Sequence, residues 1–174
     1  MSAAEKDVLH NVEDYLMGRG RFDRSEYYGM RGSQISELLA DYCGELSSTD
    51  QKELIRILAE VAVGRREQFT SYLHLAPTGL AFLCLKGFQK QFDESVVGLL
   101  ESEFVDPANV EMWRTAGEMT EPTGGGDFKS TWHYAAALSF ILKLVGSEHS
   151  SNVRQYLIEH AKSEDFKETL KRQG

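Results

Sequence analysis

The chain has 174 residues, 41% of them hydrophobic, and its 27 acidic against 19 basic side chains leave a formal net charge of −8. That length predicts one domain over 1–174 with a sizeable single core, and the acidity argues against nucleic acid as a partner, because phosphate contacts need clustered Lys and Arg. No apolar run approaches the roughly 20 residues of a membrane span, and the acidic, amphipathic start MSAAEKDVLHNVEDYL lacks the regions of a signal peptide, so a cytoplasmic protein without a membrane partner is expected.

In chain order, Ser2 and Glu5 have capping-box spacing, and Val8, Leu9, Val12, Tyr15 and Leu16 recur on one helical face until Gly18, which predicts a helix over 3–17. Residues 18–32, GRGRFDRSEYYGMRG, have no assignable period and read as a long connection with at most one short turn. Arg19, Arg21, Arg24 and Arg31 outnumber Asp23 and Glu26 there, but an excess of two charges is too small to track a phosphate backbone. Regular spacing resumes at Ser33 with Ile35, Leu38, Leu39, Tyr42 and Leu46. A new start is read at Ser48 with Gln51 three residues on, followed by Leu54, Ile55, Leu58, Val61 and Ala62 up to Gly64. A further helix is predicted over Arg65–Leu75, ended by Pro77, with Thr78 capping the apolar stretch GLAFLCLKGFQKQF. Asp93 opens the next helix, and Asp106-Pro107 places an N-cap before a proline at the first helical position.

These starts recur about every fifteen residues, which predicts an all-α domain of about eight to ten helices, stacked as antiparallel hairpins, with a degenerate HEAT-like stack as one arrangement and no tetratricopeptide or ankyrin signature. Residues 118–129, EMTEPTGGGDFK, form a second long loop. It leads into Ser130–Val145, where Trp132, Tyr134, Leu138, Phe140, Ile141, Leu142, Leu144 and Val145 surround most of the helix and Lys143 is the sole residue charged at neutral pH. A helix wrapped so widely by large side chains belongs inside other helices, so 130–145 is read as the central element, stopped by Gly146. Helices near 150–162 and 164–172 finish the chain, with Val153, Leu157, Ala161, Phe166 and Leu170 inward. The predicted core includes Leu38, Leu39, Leu58, Val61, Leu80, Phe82, Leu83, Phe88, Leu100, Trp113, Trp132, Leu138, Ile141 and Leu142.

The charge layout is the sharpest functional signal. Residues 93–127 hold nine acids, Asp93, Glu94, Glu101, Glu103, Asp106, Glu111, Glu118, Glu121 and Asp127, against one base, Arg114, so this segment alone carries −8. Such a surface attracts a basic partner and speeds association by long-range steering. Glu101, Glu103, Asp106, Glu111, Glu118, Glu121 and Asp127 are therefore the candidate partner-binding residues. The bland alternative is a solvated face whose acids complement helix N-termini, as Asp93, Glu94 and Asp106 would. A small acidic protein of this layout suits the task of immunity and antitoxin proteins, which neutralise a basic nuclease toxin by covering its active site. A helical scaffold that binds a peptide in a groove is the other non-enzymatic reading.

Enzymatic signatures are sparse. Aligning Lys129-Ser130 with a phosphate-binding loop puts Thr123 and Phe128 where glycines are required. Cys43 and Cys84 lie in helical patterns without a CxxC or neighbouring histidines and read as buried thiols. The five histidines, His10, His74, His133, His149 and His160, have no ligand spacing, so neither a metal nor another cofactor is expected. Ser71 and His74 lack a third orienting group. Arg154-Gln-Tyr-Leu-Ile-Glu-His160 resembles the Arg-x4–6-His motif of HEPN domains, all-α modules that cleave RNA or bind nucleotides, with Gln155 where asparagine is commoner. That resemblance implies Arg154 and His160 as a catalytic pair acting on an RNA phosphodiester.

Overall fold

The structure is a computed structural model that describes residues 2–22, 32–67, 75–114, 140–146 and 150–173. Every regular element among them is helical: α1 (Ala3–Met17), α2 (Gly32–Glu45), α3 (Ser48–Ala62), α4 (Leu75–Leu85), α5 (Glu94–Val105), α6 (Val110–Arg114), α7 (Ser150–His160) and α8 (Glu164–Gln173). Three-residue 3-10 turns stand at Gly20–Phe22, Gln89–Gln91 and Pro107–Asn109. Residues 140–144 are helical as well, and Gly146, at φ 74°, follows them. None of these helices is long and apolar enough to cross a membrane. The all-α class expected from the periodicity is what the chain adopts.

Contacts divide the chain into two compact units, Met1–Val96 and Val97–Gly174. In the first, α1 and α4 pack on α3, and α2 packs on α4. Side-chain bonds then tie α1 to α2: the hydroxyls of Tyr15 and Ser36 lie 2.9 Å apart, and Asn11 Nδ2 donates to Tyr42 Oη at 3.1 Å. The buried layer between them is built from Val8, Val12, Leu16, Leu39, Leu54, Ile55, Leu58, Val61, Leu80 and Leu83. Ser36 is the buried polar residue of this layer, and the Tyr15 hydroxyl satisfies it. Local chemistry sets the element ends. Ser2 and Glu5 close the predicted capping box, and Gly18 stops α1 at φ 66°, in the left-handed region that glycine enters without steric cost.

Several expectations are corrected within this unit. The N-cap of α3 is Ser47, whose Oγ accepts from the Asp50 N–H at 3.2 Å, one residue before the predicted Ser48. Gln51, freed from a capping box, donates instead to the carbonyls of Cys43 (3.0 Å) and Leu46 (3.3 Å) at the end of α2. Pro77 lies in the first turn of α4 and does not end a preceding helix, because backbone N–H groups of a first turn have no acceptor within the helix and their loss there costs nothing. Thr78 is therefore inside α4 rather than its cap. Of the predicted helix over 65–75, residues 65 and 66 are irregular and 68–74 lie outside the described residues. Leu38 of α2, Phe82 of α4 and Phe88 just before the turn Gln89–Gln91, all expected in the core, are half-buried. Phe22, read as part of a loop, is fully buried with its ring edge-on to Tyr15 at 5.5 Å.

The second unit is organised around two stacked aromatic rings, Phe104 and Trp113, whose centroids lie 5.1 Å apart and which are both fully buried. α6 packs on α7 and α7 on α8, with Val153, Leu157, Ala161, Phe166 and Leu170 inward as expected. The Lys162 N–H donates to the Arg114 carbonyl at 3.1 Å, which fixes the end of α7 against the end of α6. Ile141 and Leu142 are fully buried, and Lys143 is exposed. Phe140, Leu144 and Val145, expected to be enclosed on all sides, are half-buried, and residues 130–139, including Trp132 and Leu138, lie outside the described residues.

Candidate interaction surface and catalytic pair

α5 is amphipathic because Val96, Leu100 and Phe104, spaced by four, form its buried stripe. Glu101 and Glu103 flank that stripe and are both half-buried. Two residues of separation put about 200° of rotation between them, so they emerge on opposite sides of the helix. They do not share one face. Glu94 is exposed at the first turn, where a negative charge favours the helix dipole.

The aspartates of this segment do structural work. Asp93 caps α5, its Oδ1 accepting from the Ser95 hydroxyl at 2.7 Å and the Val96 N–H at 3.0 Å. These donors hold its carboxyl below the usual range, the Ser95 hydroxyl contributing most. Asp106 caps the 3-10 turn by accepting from the Ala108 N–H at 3.0 Å, with Pro107 at its first position as predicted. Glu111 pairs with Arg114, whose Nε donates at 2.8 Å, and that hydrogen bond, with the charges of Arg114 and Lys162, lowers its pKa. The one base of the segment is thus matched to one of its acids. Glu118, Glu121 and Asp127 lie outside the described residues.

Arg154 and His160 both stand on α7 and are both half-buried. Six residues of separation leave them about 120° apart around the helix axis. His160 Nδ1 lies 2.8 Å from the Tyr156 carbonyl of its own helix, and its ring stacks on Tyr156 at 4.1 Å. Its contacts are those of a histidine closing a helix C-terminus, where a cation is favoured. Among the described residues no group of His, Cys, Asp and Glu could hold a metal ion. Cys43 and Cys84 are buried free thiols, and burial pushes each up to about 12, far from the range of a reactive thiolate. Ser71, His74 and the glycine-rich loop lie outside the described residues.

A charged cluster on α1 and α3 went unread in the sequence. Arg56 Nε donates to Glu53 at 2.9 Å, its guanidinium also pairs with Glu60, and Arg66 pairs with Glu60 from the segment after α3. Glu53, Arg56 and Glu60 have the i, i+3 and i, i+4 spacings of helical ion pairs, a signal present in the sequence. Arg66 joins them because the chain turns back at Gly64, at φ 70°, and its Arg65 N–H donates to the Glu60 carbonyl at 2.8 Å. Glu5 of α1, lowered in pKa mainly by the Ser2 N–H, lines the same groove as Glu53 and Arg56.

No family model, curated protein or solved structure matches this chain.

Proposed function

We propose that the chain is a protein-binding module of the immunity or antitoxin type, which neutralises a basic nuclease by covering its active site. The observation that carries this reading is the charge of residues 93–127, where nine acids against one base equal the net charge of the whole protein. Glu94 and Asp106 are exposed on α5 and the turn after it, and Glu101 and Glu103 are half-buried. Their carboxylates would pair with the Lys and Arg that hold a substrate's phosphates, so the block is steric and electrostatic. Since Glu101 and Glu103 point to opposite sides of α5, a partner that engages both must wrap the helix.

Affinity capture from the host followed by mass spectrometry identifies the partner, and the variant Glu101→Gln, Glu103→Gln, Glu118→Gln, Glu121→Gln then tests the surface. That variant is expected to bind at least about tenfold more weakly at low salt and to show a flatter salt dependence. Affinity and salt slope both unchanged would refute the acidic-surface reading. Cleavage of RNA by the purified chain, lost in His160→Ala, would establish the HEPN-like reading in its place.

A further inference from the structure

Leu9 and Ile57 form the floor of a groove of about 230 Å³ between α1 and α3, with Glu5, Glu53, Arg56 and Arg66 around it. That volume is below the roughly 300–1,000 Å³ of sites for drug-sized ligands and suits a molecule the size of one amino acid. The lining carries two carboxylates and two guanidiniums. A balanced lining complements a neutral molecule that bears both charges better than a simple cation or anion.

The groups differ in how far they are already engaged. Arg56 is held between Glu53 and Glu60. Arg66 pairs through Nε with Glu60, its side chain is 20% exposed, and among the described residues its Nη1 and Nη2 make no hydrogen bond. A half-buried arginine whose terminal nitrogens make no hydrogen bond among the described residues, in a groove also lined by Leu9 and Ile57, can take a carboxylate through two parallel bonds. Glu5, which lines the same groove, accepts from the Ser2 N–H through Oε2 at 2.7 Å, which leaves Oε1 for an ammonium group.

We propose that this groove binds a free α-amino acid with an apolar side chain, its carboxylate on Arg66, its ammonium on Glu5 and its side chain on Leu9 and Ile57. The assignment is independent of the acidic segment and of any protein partner.

Titration of the full chain with L-leucine, followed by amide NMR shifts and calorimetry, tests it. Saturable shifts are expected at Leu9, Ile57 and Arg66. N-acetyl-leucine, which lacks the ammonium, and isoamylamine, which lacks the carboxylate, should each bind at least about tenfold more weakly, the loss that follows from removing one charge-assisted pair. Arg66→Gln should weaken leucine binding by a similar factor while circular dichroism shows unchanged helicity. Were that variant to unfold, the analogue series on the unaltered chain still decides the matter. Absence of saturable shifts up to roughly 10 mM leucine, well into the weak range for so small a ligand, or equal binding of all three compounds, overturns the proposal.

Discussion

Two helical glycines show how strongly the surroundings decide the effect of a single atom. A Cβ added at Gly79 in α4 would lie 3.0 Å from Leu39 Cδ2 and 3.0 Å from Tyr15 Oη, whereas at Gly98 in α5 it would meet nothing within 4 Å. Alanine gains roughly 1 kcal/mol over glycine in a helix interior, and overpacking a filled site costs about 1–3 kcal/mol. The same substitution should therefore have opposite signs: Gly98→Ala stabilises by about 0.5–1 kcal/mol, and Gly79→Ala destabilises by up to about 2 kcal/mol after its helix gain is subtracted. Urea midpoints of the two variants check this. A stabilised Gly79→Ala protein would mean that α4 does not approach α1 and α2 as closely as described. Sequence alone cannot separate these glycines, since both sit in apolar helical patterns and their difference lies in residues distant along the chain.

Element ends follow from side chains that satisfy the first free N–H groups of a helix, and here one register step matters. Ser47 and Ser48 are adjacent and chemically identical, yet Ser47 Oγ accepts from the Asp50 N–H, whereas Ser48 Oγ makes a long 3.4 Å contact to Gln91. Ser47→Ala is expected to cost about 1 kcal/mol, in line with other lost caps, and Ser48→Ala to stay within about 0.5 kcal/mol, the range for exposed sites. Thermal midpoints measured side by side discriminate the two, and the reverse order would restore the boundary at Ser48. The start at Asp93 and the Asp106-Pro107 turn were legible in advance because each has one capping residue in place. At Pro77 the sequence rule misled, because proline is excluded from helix interiors but accepted in a first turn, and the residues before it do not say which applies.

Over the whole molecule, helical periodicity foretold an all-helical chain whose larger apolar side chains are inside, but not which surface would be concave or which ion pairs would form. Cys43 and Cys84 belong to α2 and α4 of the first unit, are fully buried, and have thiols pushed up to about 12. At pH 8 the native protein should therefore leave both thiols unmodified by a disulfide reagent, and labelling of both should accompany denaturation, because the thiolate is the reactive form and is absent while the groups stay buried. Immediate modification of either thiol in the native protein would show that the layer between α2, α3 and α4 is open. The acidic segment, by contrast, was read from charge alone, and among the described residues the structure distributes its acids among caps, an ion pair and two sides of α5.

What the sequence determined by itself is the set of local outcomes: helix periods, the capping box at Ser2 and Glu5, the stops at Gly18 and Gly146, and the inward residues of α7 and α8. Each of these depends on neighbours within a few positions, where backbone hydrogen bonding and the 3.6-residue period leave little choice. Tertiary structure alone decided that Phe22 belongs to the core, that Leu38, Phe82 and Phe88 sit at its margin, and that Leu9 of α1 and Ile57 of α3 line one groove. Those outcomes depend on which helices meet, and the pairing energy is spread over contacts between residues far apart in the chain.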